Sequence, residues 1–192
     1  MKGEARRRAR REVAASIERL FHVAAMADKF DGAVHGAPFR GRTFAMHEPL
    51  GVIGIACPDD APLLSFVSLT GAALAMGNRT VVVPSPAAPL IATDFYQVLE
   101  TSDVPAGACN IVTGDPATLG LVLAQHDDVE GLWYFRGGEG LAAVERASAG
   151  NLKRTWNGGG VQRDWFDIEQ GGGEAFFHAG CQVKNVWVPF GA

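Results

Sequence analysis

Short apolar runs alternate with helical repeats along most of the chain. Residues 51–57 form an apolar run that is typical of a strand buried on both faces. The same kind of pattern predicts further strands at residues 79–83, 109–112 and 131–135. Helices are predicted between them, at residues 60–76, 93–101, 117–125 and 139–149. Strands and helices that alternate in this way indicate βαβ units with right-handed crossovers, and hence a three-layer, Rossmann-like α/β domain with a mostly parallel sheet.

The two ends of the chain depart from this alternation. Residues 6–29 form one predicted helix, whose apolar positions recur at three- and four-residue steps: Val13, Ile17, Leu20, Phe21 and Ala24. Residues 38–49 have no helical period and suit an exposed strand or arm. A short helix at residues 174–179 leads into a last strand at residues 183–188. We therefore predict one domain over residues 1–192, with an N-terminal helix (1–32), an arm (38–49) and a Rossmann-like core with its closing strand (50–192).

Composition and charge narrow the class of protein. A hydrophobic share of 47% with 20% charged residues is ordinary for a soluble globular domain. Residues 1–11 hold six Lys or Arg and one acid, a charge of +5, so the rest must carry −9 to reach the net −4. We interpret Arg6 to Arg11 as the solvated first turns of a helix, since no aromatic residues are interleaved as in a nucleic-acid site. No apolar run approaches the roughly 18–20 residues of a membrane span. We expect a cytoplasmic protein without nucleic-acid or membrane partners.

The three cysteines are Cys57, Cys109 and Cys181. They form no C-x-x-C pair, and no histidine cluster stands at ligand spacing, so neither a disulfide nor a metal site is predicted. Cys57 and Cys109 lie in apolar strand-like runs, where a small buried thiol is expected.

Several segments together resemble the aldehyde dehydrogenase superfamily. Residues 48–55 (EPLGVIGI) resemble the entry to its cofactor-binding domain. Further segments follow in the family's order and spacing: residues 72–78, 110–115, 126–129, 150–153 and 176–180. Within the superfamily, the likeness is greatest to the C-terminal, non-catalytic module of the two-module family sixteen enzymes, through residues 61–69, 93–97, 152–156, 163–167 and 182–189. The resemblance implies a nucleotide-binding-type layer and an oligomerisation arm.

The resemblance also indicates where the family's reaction groups would stand. The family's oxyanion donor is an asparagine after Pro-Trp, whereas this chain has Pro58-Asp59-Asp60. A carboxylate accepts hydrogen bonds and repels a developing negative oxygen, so Asp60 is unsuited to that role. We predict instead that Asp60 caps the N-terminus of the following helix, and that Asp60→Ala lowers stability by about 0.5–2 kcal/mol.

The cofactor-binding positions differ from the family's in a similar way. The family places a lysine and a glutamate at the adenosine ribose, where this chain has Val83-Pro-Ser-Pro-Ala87. The family's phosphate-side Thr-Gly-Ser corresponds to Phe135-Arg136-Gly137-Gly138. Glycines before a helix can receive an anion, and an arginine can pair with a phosphate. Gly114, Arg136, Gly137 and Gly138 are therefore the candidate nucleotide contacts, and a helix entry turn is the alternative. We expect no cofactor to bind in the family's manner.

The base and the nucleophile complete the comparison. The family's base lies in Glu-Leu-Gly-Gly after the fifth strand, where this chain has Trp156-Asn157-Gly158 with no acid. Cys181 follows Gly180 directly, and gapless alignment puts Val183 at the nucleophile's place. A thiol at a helix end near His178 could have a lowered pKa, so Cys181 is the candidate nucleophile. The alternative is a small residue packed at a helix–strand junction.

These substitutions predict a catalytically silent domain that keeps the fold for assembly. It would form a homo-oligomer, or dock with a catalytic aldehyde dehydrogenase, through the arm and the last strand. The alternative is an NAD- or NADP-dependent aldehyde dehydrogenase with a remodelled site that uses Cys181. A regulatory nucleotide-binding module built on Arg136 is a third possibility.

Overall fold

A computed structural model describes residues 2–138, 140–158 and 162–190. The first part holds α1 (Lys2–Lys29), β1 (Ala33–Gly36), β2 (Gly41–Pro49), β3 (Val52–Ala56), α2 (Pro62–Ala75) and β4 (Arg79–Val83). The middle holds α3 (Pro89–Asp94), α4 (Tyr96–Thr101), β5 (Cys109–Ile111), α5 (Pro116–Gln125) and β6 (Gly131–Tyr134). The last part holds α6 (Gly140–Ser148), β7 (Arg154–Trp156), α7 (Ile168–Gly172), α8 (Glu174–Ala179) and β8 (Cys181–Pro189).

Five strands form the parallel sheet that the alternating pattern predicts. Their spatial order is β5-β4-β3-β6-β7, and all four pairings are parallel. One apolar cluster, built around Ile55, Phe66 and Phe176, packs with α2 on one face of this sheet. A second cluster, with Leu123 and Leu132, packs with α5 and α6 on the other face. The predicted three-layer α/β class is confirmed. The single helix predicted at residues 93–101 is instead two short helices, α3 and α4, that meet at Phe95.

The arm and the closing strand lie in a second sheet. Its order is β1-β2-β8, both pairings are antiparallel, and β2 runs alongside β8 from Gly41↔Pro189 to Pro49↔Cys181. The closing strand therefore does not extend the parallel sheet. β8 occupies one edge of the smaller sheet, and β1 the other.

The buried face of α1 is not the apolar stripe that its periodicity suggests. Ile17 and Phe21 are exposed, Phe21 to 75%, whereas Ser16, Arg19 and Val23 are buried. Arg19 is only 3% exposed, and its guanidinium donates to Ser68 Oγ at 2.6 Å and to the carbonyls of Trp165 and Gly171. A buried charge of this kind is tolerated when its donors find acceptors. These long-range polar partners decide which side of α1 faces inward.

Asp60 does not cap α2. The N-cap residue is Ala61, with φ 45° and ψ 65°, and it makes no side-chain capping bond. The acceptor comes from α1: Glu12 Oε1 receives the backbone N–H groups of Leu63 at 2.7 Å and Leu64 at 3.2 Å. Asp60 instead lies 3.8 Å from Arg8, in an exposed ion pair. The capping prediction for Asp60 is wrong because a carboxylate from a distant helix takes the place that a local side chain usually fills.

Asn78 fixes the two sheets to each other. Its Oδ1 accepts the backbone N–H groups of Leu50 and Gly51, and its Nδ2 donates to the carbonyls of Ala73 and Gly180. All these bonds are between 2.7 and 3.0 Å long, and Asn78 is buried. One amide therefore joins the entry to β3, the end of α2 and the turn before β8.

Candidate functional site

A crevice lies at the carboxyl ends of the central parallel strands. After β3, the chain places β4 and then β5 on one flank of that strand, and it later returns to place β6 on the other flank. The direction in which strands are added therefore reverses between β3 and β6. Ligands of open α/β sheets bind outside the carboxyl ends of the strands at such a switch point. The crevice here has a volume of about 210 Å³, and its lining includes Pro58, Asp60, Arg136, Gly137, Asn157 and Arg163.

An ion pair spans this switch point. Asp59, after β3, receives two hydrogen bonds from Arg136, after β6: Nη1 to Oδ1 at 2.9 Å and Nη2 to Oδ2 at 2.8 Å. Arg136 Nη1 also donates to the carbonyl of Cys57 at 3.1 Å. Ser85, after β4, donates its hydroxyl to Asp59 Oδ1 at 2.6 Å. The bidentate pair joins the segments after β3 and β6, and the Ser85 hydroxyl joins the segment after β4 to the same carboxylate.

The charges of this pair stabilise each other. Hydrogen bonds from Arg136, and then from Ser85, hold the pKa of Asp59 below its usual value against partial burial. The hydrogen bond with Asp59 raises the pKa of Arg136 in turn. Arg136, which the sequence singles out as a candidate phosphate contact, therefore already has an anionic partner within the chain. Asp59 is not among the site residues that the sequence predicts. The available signal was an acid three residues after β3, since ligand sites of parallel sheets lie outside the carboxyl ends of the strands.

The candidate glycines lie at two separate places. Gly137 and Gly138 precede α6, as predicted, and Gly138 has the positive φ of 95° that favours glycine. Gly137 lines the crevice. Gly114 lies in the exposed loop between β5 and α5, and it is not among the crevice-lining residues.

Asn157 lies at the rim of the crevice. Its side-chain amide donates to Glu145 Oε1, from α6. This contact brings the carboxylate of Glu145 beside the segment where the family's base would stand. The neighbouring glycines, Gly159 and Gly160, lie outside the described residues.

Aromatic rings surround Arg163, and one of them, Phe135, lines the crevice together with Trp165. The guanidinium carbon of Arg163 lies 5.4–5.6 Å from the ring centroids of Phe135, Trp156 and Phe176. Arg163 Nη1 also donates to the carbonyl of Gln170 at 2.8 Å. Burial lowers the pKa of Arg163. These three rings therefore pack around a cation of the chain itself.

Cys181 lies near the amino-terminal end of β3, at the end of the parallel sheet opposite the crevice. It is the first residue of β8 and pairs with Pro49, just before β3 begins. Its carbonyl accepts a hydrogen bond from Arg154 Nη1, at the start of β7. The five residues of β3 separate this end of the sheet from the crevice by about 15 Å. Cys181 is buried, and burial raises the pKa of its thiol. The structure does not bring Cys181 to the crevice, and it places the thiol at the helix–strand junction.

Comparison with known proteins identifies the family. A model of the aldehyde dehydrogenase family matches residues 1–164. An aldehyde dehydrogenase of Agaricus bisporus is 34% identical over 144 residues, which are 74% of this chain and 29% of that protein. The chain belongs to the aldehyde dehydrogenase family.

Solved structures agree with the sequence matches. The crystal structure of PnpE in complex with nicotinamide adenine dinucleotide has a TM-score of 0.71 and 29% identity, over 75% of this chain and 30% of PnpE. An aldehyde dehydrogenase from Brucella melitensis biovar abortus 2308 has a TM-score of 0.73 and 28% identity, over 77% of this chain and 31% of that one. The chain thus spans about 30% of the relatives it matches. None of the helices in the described ranges is both long and apolar enough to cross a membrane.

Proposed function

We propose that this chain is a non-catalytic aldehyde dehydrogenase domain that acts in assembly. It docks with a second copy or with a catalytic aldehyde dehydrogenase, through the arm and β8. The observation that carries the proposal is the outer edge of β8, where the backbone groups of Asn185 and Trp187 have no hydrogen-bond partner among the described residues and lie beside exposed apolar side chains. The finer resemblance, to the C-terminal module of family sixteen enzymes, predicts the same role.

The register of the smaller sheet identifies the free backbone groups. The N–H of Phe190 donates to the carbonyl of Arg40 at 3.1 Å, which continues the β2–β8 pairing by one step. Hydrogen-bonded positions alternate along an antiparallel pair. The backbone of Val186 therefore faces β2, whereas Asn185 and Trp187 direct their N–H and C=O groups toward the outer edge. An edge of this kind accepts a further strand.

Apolar side chains flank the same edge. Trp187 is 68% exposed, and its ring centroid lies 5.7 Å from that of Phe39 in the arm, which is itself 38% exposed. Val183 and Val188 are also exposed. Phe39, Trp187 and Val183 form an apolar surface that a partner would cover, whereas Val188 lies on the other face of β8.

The crevice chemistry supports the non-catalytic part of the proposal. Arg136 is hydrogen-bonded to Asp59. Ser85, which lies in the segment that corresponds to the family's ribose site, donates to the same carboxylate. A dinucleotide that binds in the family's manner would have to separate this pair. The alternative is an NAD- or NADP-dependent enzyme that uses Cys181. Its thiol lies at the end of the parallel sheet opposite the crevice, which does not support this alternative.

Light scattering of matched variants tests the assembly role. Asn185→Pro removes an outward N–H, and we expect it to lower the molar mass of the assembly while the domain stays folded. Val186→Pro removes an inward ladder donor and should destabilise the β2–β8 pairing itself. Trp187→Ser should weaken assembly, whereas Phe21→Ser, at an equally exposed apolar position on α1, serves as its control. A wild-type monomer at high concentration that also binds no catalytic aldehyde dehydrogenase would refute the assembly role.

Calorimetric titration tests the nucleotide part separately. We expect no heat with NAD or NADP at millimolar ligand. Asp59→Ala, which frees Arg136, is the informative second protein, because binding gained in this variant would show that the ion pair competes with the phosphate. Micromolar affinity in the wild type would overturn the proposal that the crevice does not serve a cofactor.

A further inference from the structure

Three metal-ligating side chains meet at the junction of the arm, α8 and β8. One ring nitrogen each of His47 and His178 and the Sγ atom of Cys181 all lie within 4.8 Å of one another. This cluster is remote from the crevice, and the proposed assembly role makes no use of it. We propose that His47, His178 and Cys181 form a binding site for a divalent zinc-type cation, with the fourth position taken by water.

The fold explains why the three residues converge. His47 pairs with Val183 in the β2–β8 ladder, and Pro49 pairs with Cys181. Residues two apart on a strand share a face, so His47 and Cys181 are diagonal neighbours on one side of the sheet. His178, in the last turn of α8, stands three residues before Cys181. The ion pair between Glu48 and Lys184 falls at the alternate positions and hence on the other face.

The environment of the two imidazoles favours a metal ligand. His47 Nδ1 is buried and has no hydrogen-bond partner among the described residues. Phe30 orients both rings, stacking on His47 with centroids 4.6 Å apart and meeting His178 edge-on at 4.8 Å. A buried imidazole nitrogen without a partner is costly, and coordination of a metal ion through Nδ1 would satisfy it.

The distances suit tetrahedral zinc after a small adjustment. Zinc bonds of about 2.0–2.1 Å to nitrogen and about 2.3 Å to sulfur place ligand atoms roughly 3.3–3.6 Å apart. The ligand atoms lie within 4.8 Å of one another, so side-chain rotations that move them by about 1 Å reach this separation. Two nitrogens and one thiolate are also a donor set that zinc prefers. Binding releases the Cys181 proton to solvent, since only the thiolate coordinates.

Cobalt substitution of the full chain tests the site, with the thiols kept reduced. We expect one equivalent of Co²⁺ to produce a thiolate-to-cobalt charge-transfer band and the visible absorption of a tetrahedral complex, and Zn²⁺ to displace it. Cys181→Ser should abolish the charge-transfer band. His47→Gln and His178→Gln should each weaken zinc binding at least tenfold.

Matched variants separate the site from general damage. Cys109→Ser alters another buried thiol, and His126→Gln alters a histidine outside the cluster, so both should bind as the wild type does. Because His178 is exposed, we expect His178→Gln to keep the fold even if Cys181→Ser unfolds. Circular dichroism of both variants checks this. The proposal is overturned if the wild type develops no charge-transfer band, or if the band survives in Cys181→Ser or binding is unchanged in His178→Gln.

Discussion

The capping of α2 by a carboxylate of α1 allows a quantitative prediction. Glu12→Ala removes the acceptor for the N–H groups of Leu63 and Leu64. Pro62 has no N–H, and the N–H of Ser65 donates to the carbonyl of Ala61, so Glu12 satisfies the donors that remain in the first turn. Loss of a cap costs about 0.5–2 kcal/mol, and loss of a negative charge at a helix N-terminus costs about 0.3–1 kcal/mol. We expect Glu12→Ala to lower the free energy of unfolding by about 1–3 kcal/mol.

Two further variants separate the hydrogen-bond and charge contributions of Glu12 and compare them with that of Asp60. Glu12→Gln keeps an oxygen acceptor and loses only the charge, so it should cost about 0.3–1 kcal/mol. Asp60→Ala removes an exposed ion pair with Arg8 and should cost less than about 1 kcal/mol. Alanine is itself a good helix former, so weakening of α1 would not explain a loss in Glu12→Ala.

The assay is urea unfolding followed by circular dichroism, with thermal unfolding as a second measure. For a domain of this size, each kcal/mol corresponds to about 2–4 °C in Tm, so Glu12→Ala should melt roughly 2–12 °C lower. The slope against urea should stay constant, because the variant changes stability and not the surface exposed on unfolding. A larger loss in Asp60→Ala than in Glu12→Ala would refute the reasoning and restore Asp60 as the cap.

Two other predictions concern Asn78 and Asp59. Asn78→Ala removes the side-chain partner of four backbone groups, of which only the Ala73 carbonyl keeps another donor, the backbone N–H of residue 78, so it should cost about 2–4 kcal/mol in urea unfolding. Asn110→Ala, at an exposed position, should cost less than about 1 kcal/mol; equal losses would contradict the role given to Asn78. The pKa of Asp59 is lowered in the folded state, so its contribution to stability is complete above its unfolded pKa of about 4 and is lost as the pH falls through the folded value. As the pH falls from 5 to 2, Asp59→Asn should therefore lose less stability than the wild type does. The difference should be under about 1 kcal/mol, because the Asp59 side chain is half exposed. Parallel pH profiles for the two proteins would contradict this.

The sequence alone determined the class of fold and most of its elements. The strand at residues 79–83 and the helix at residues 174–179 have the bounds that the pattern predicts. Such elements are recognisable because the length and period of an apolar run are local properties of the chain. The burial of Cys57 and Cys109 followed from the same runs, and both thiols are buried. The resemblance that the chain bears to aldehyde dehydrogenases lies in these segments, and the family was correctly identified from them.

Only the tertiary structure decided which side chains meet. The inward face of α1 is set by the carbonyls that receive Arg19, and the cap of α2 comes from Glu12, about fifty residues earlier in the chain. Asp59 reaches Arg136 across the switch point because the third and sixth strands are neighbours in the sheet. His47 approaches Cys181 because β2 and β8 pair in one register. Each of these contacts joins segments far apart in the chain, so no local period records it, and its free energy depends on packing that exists only after folding.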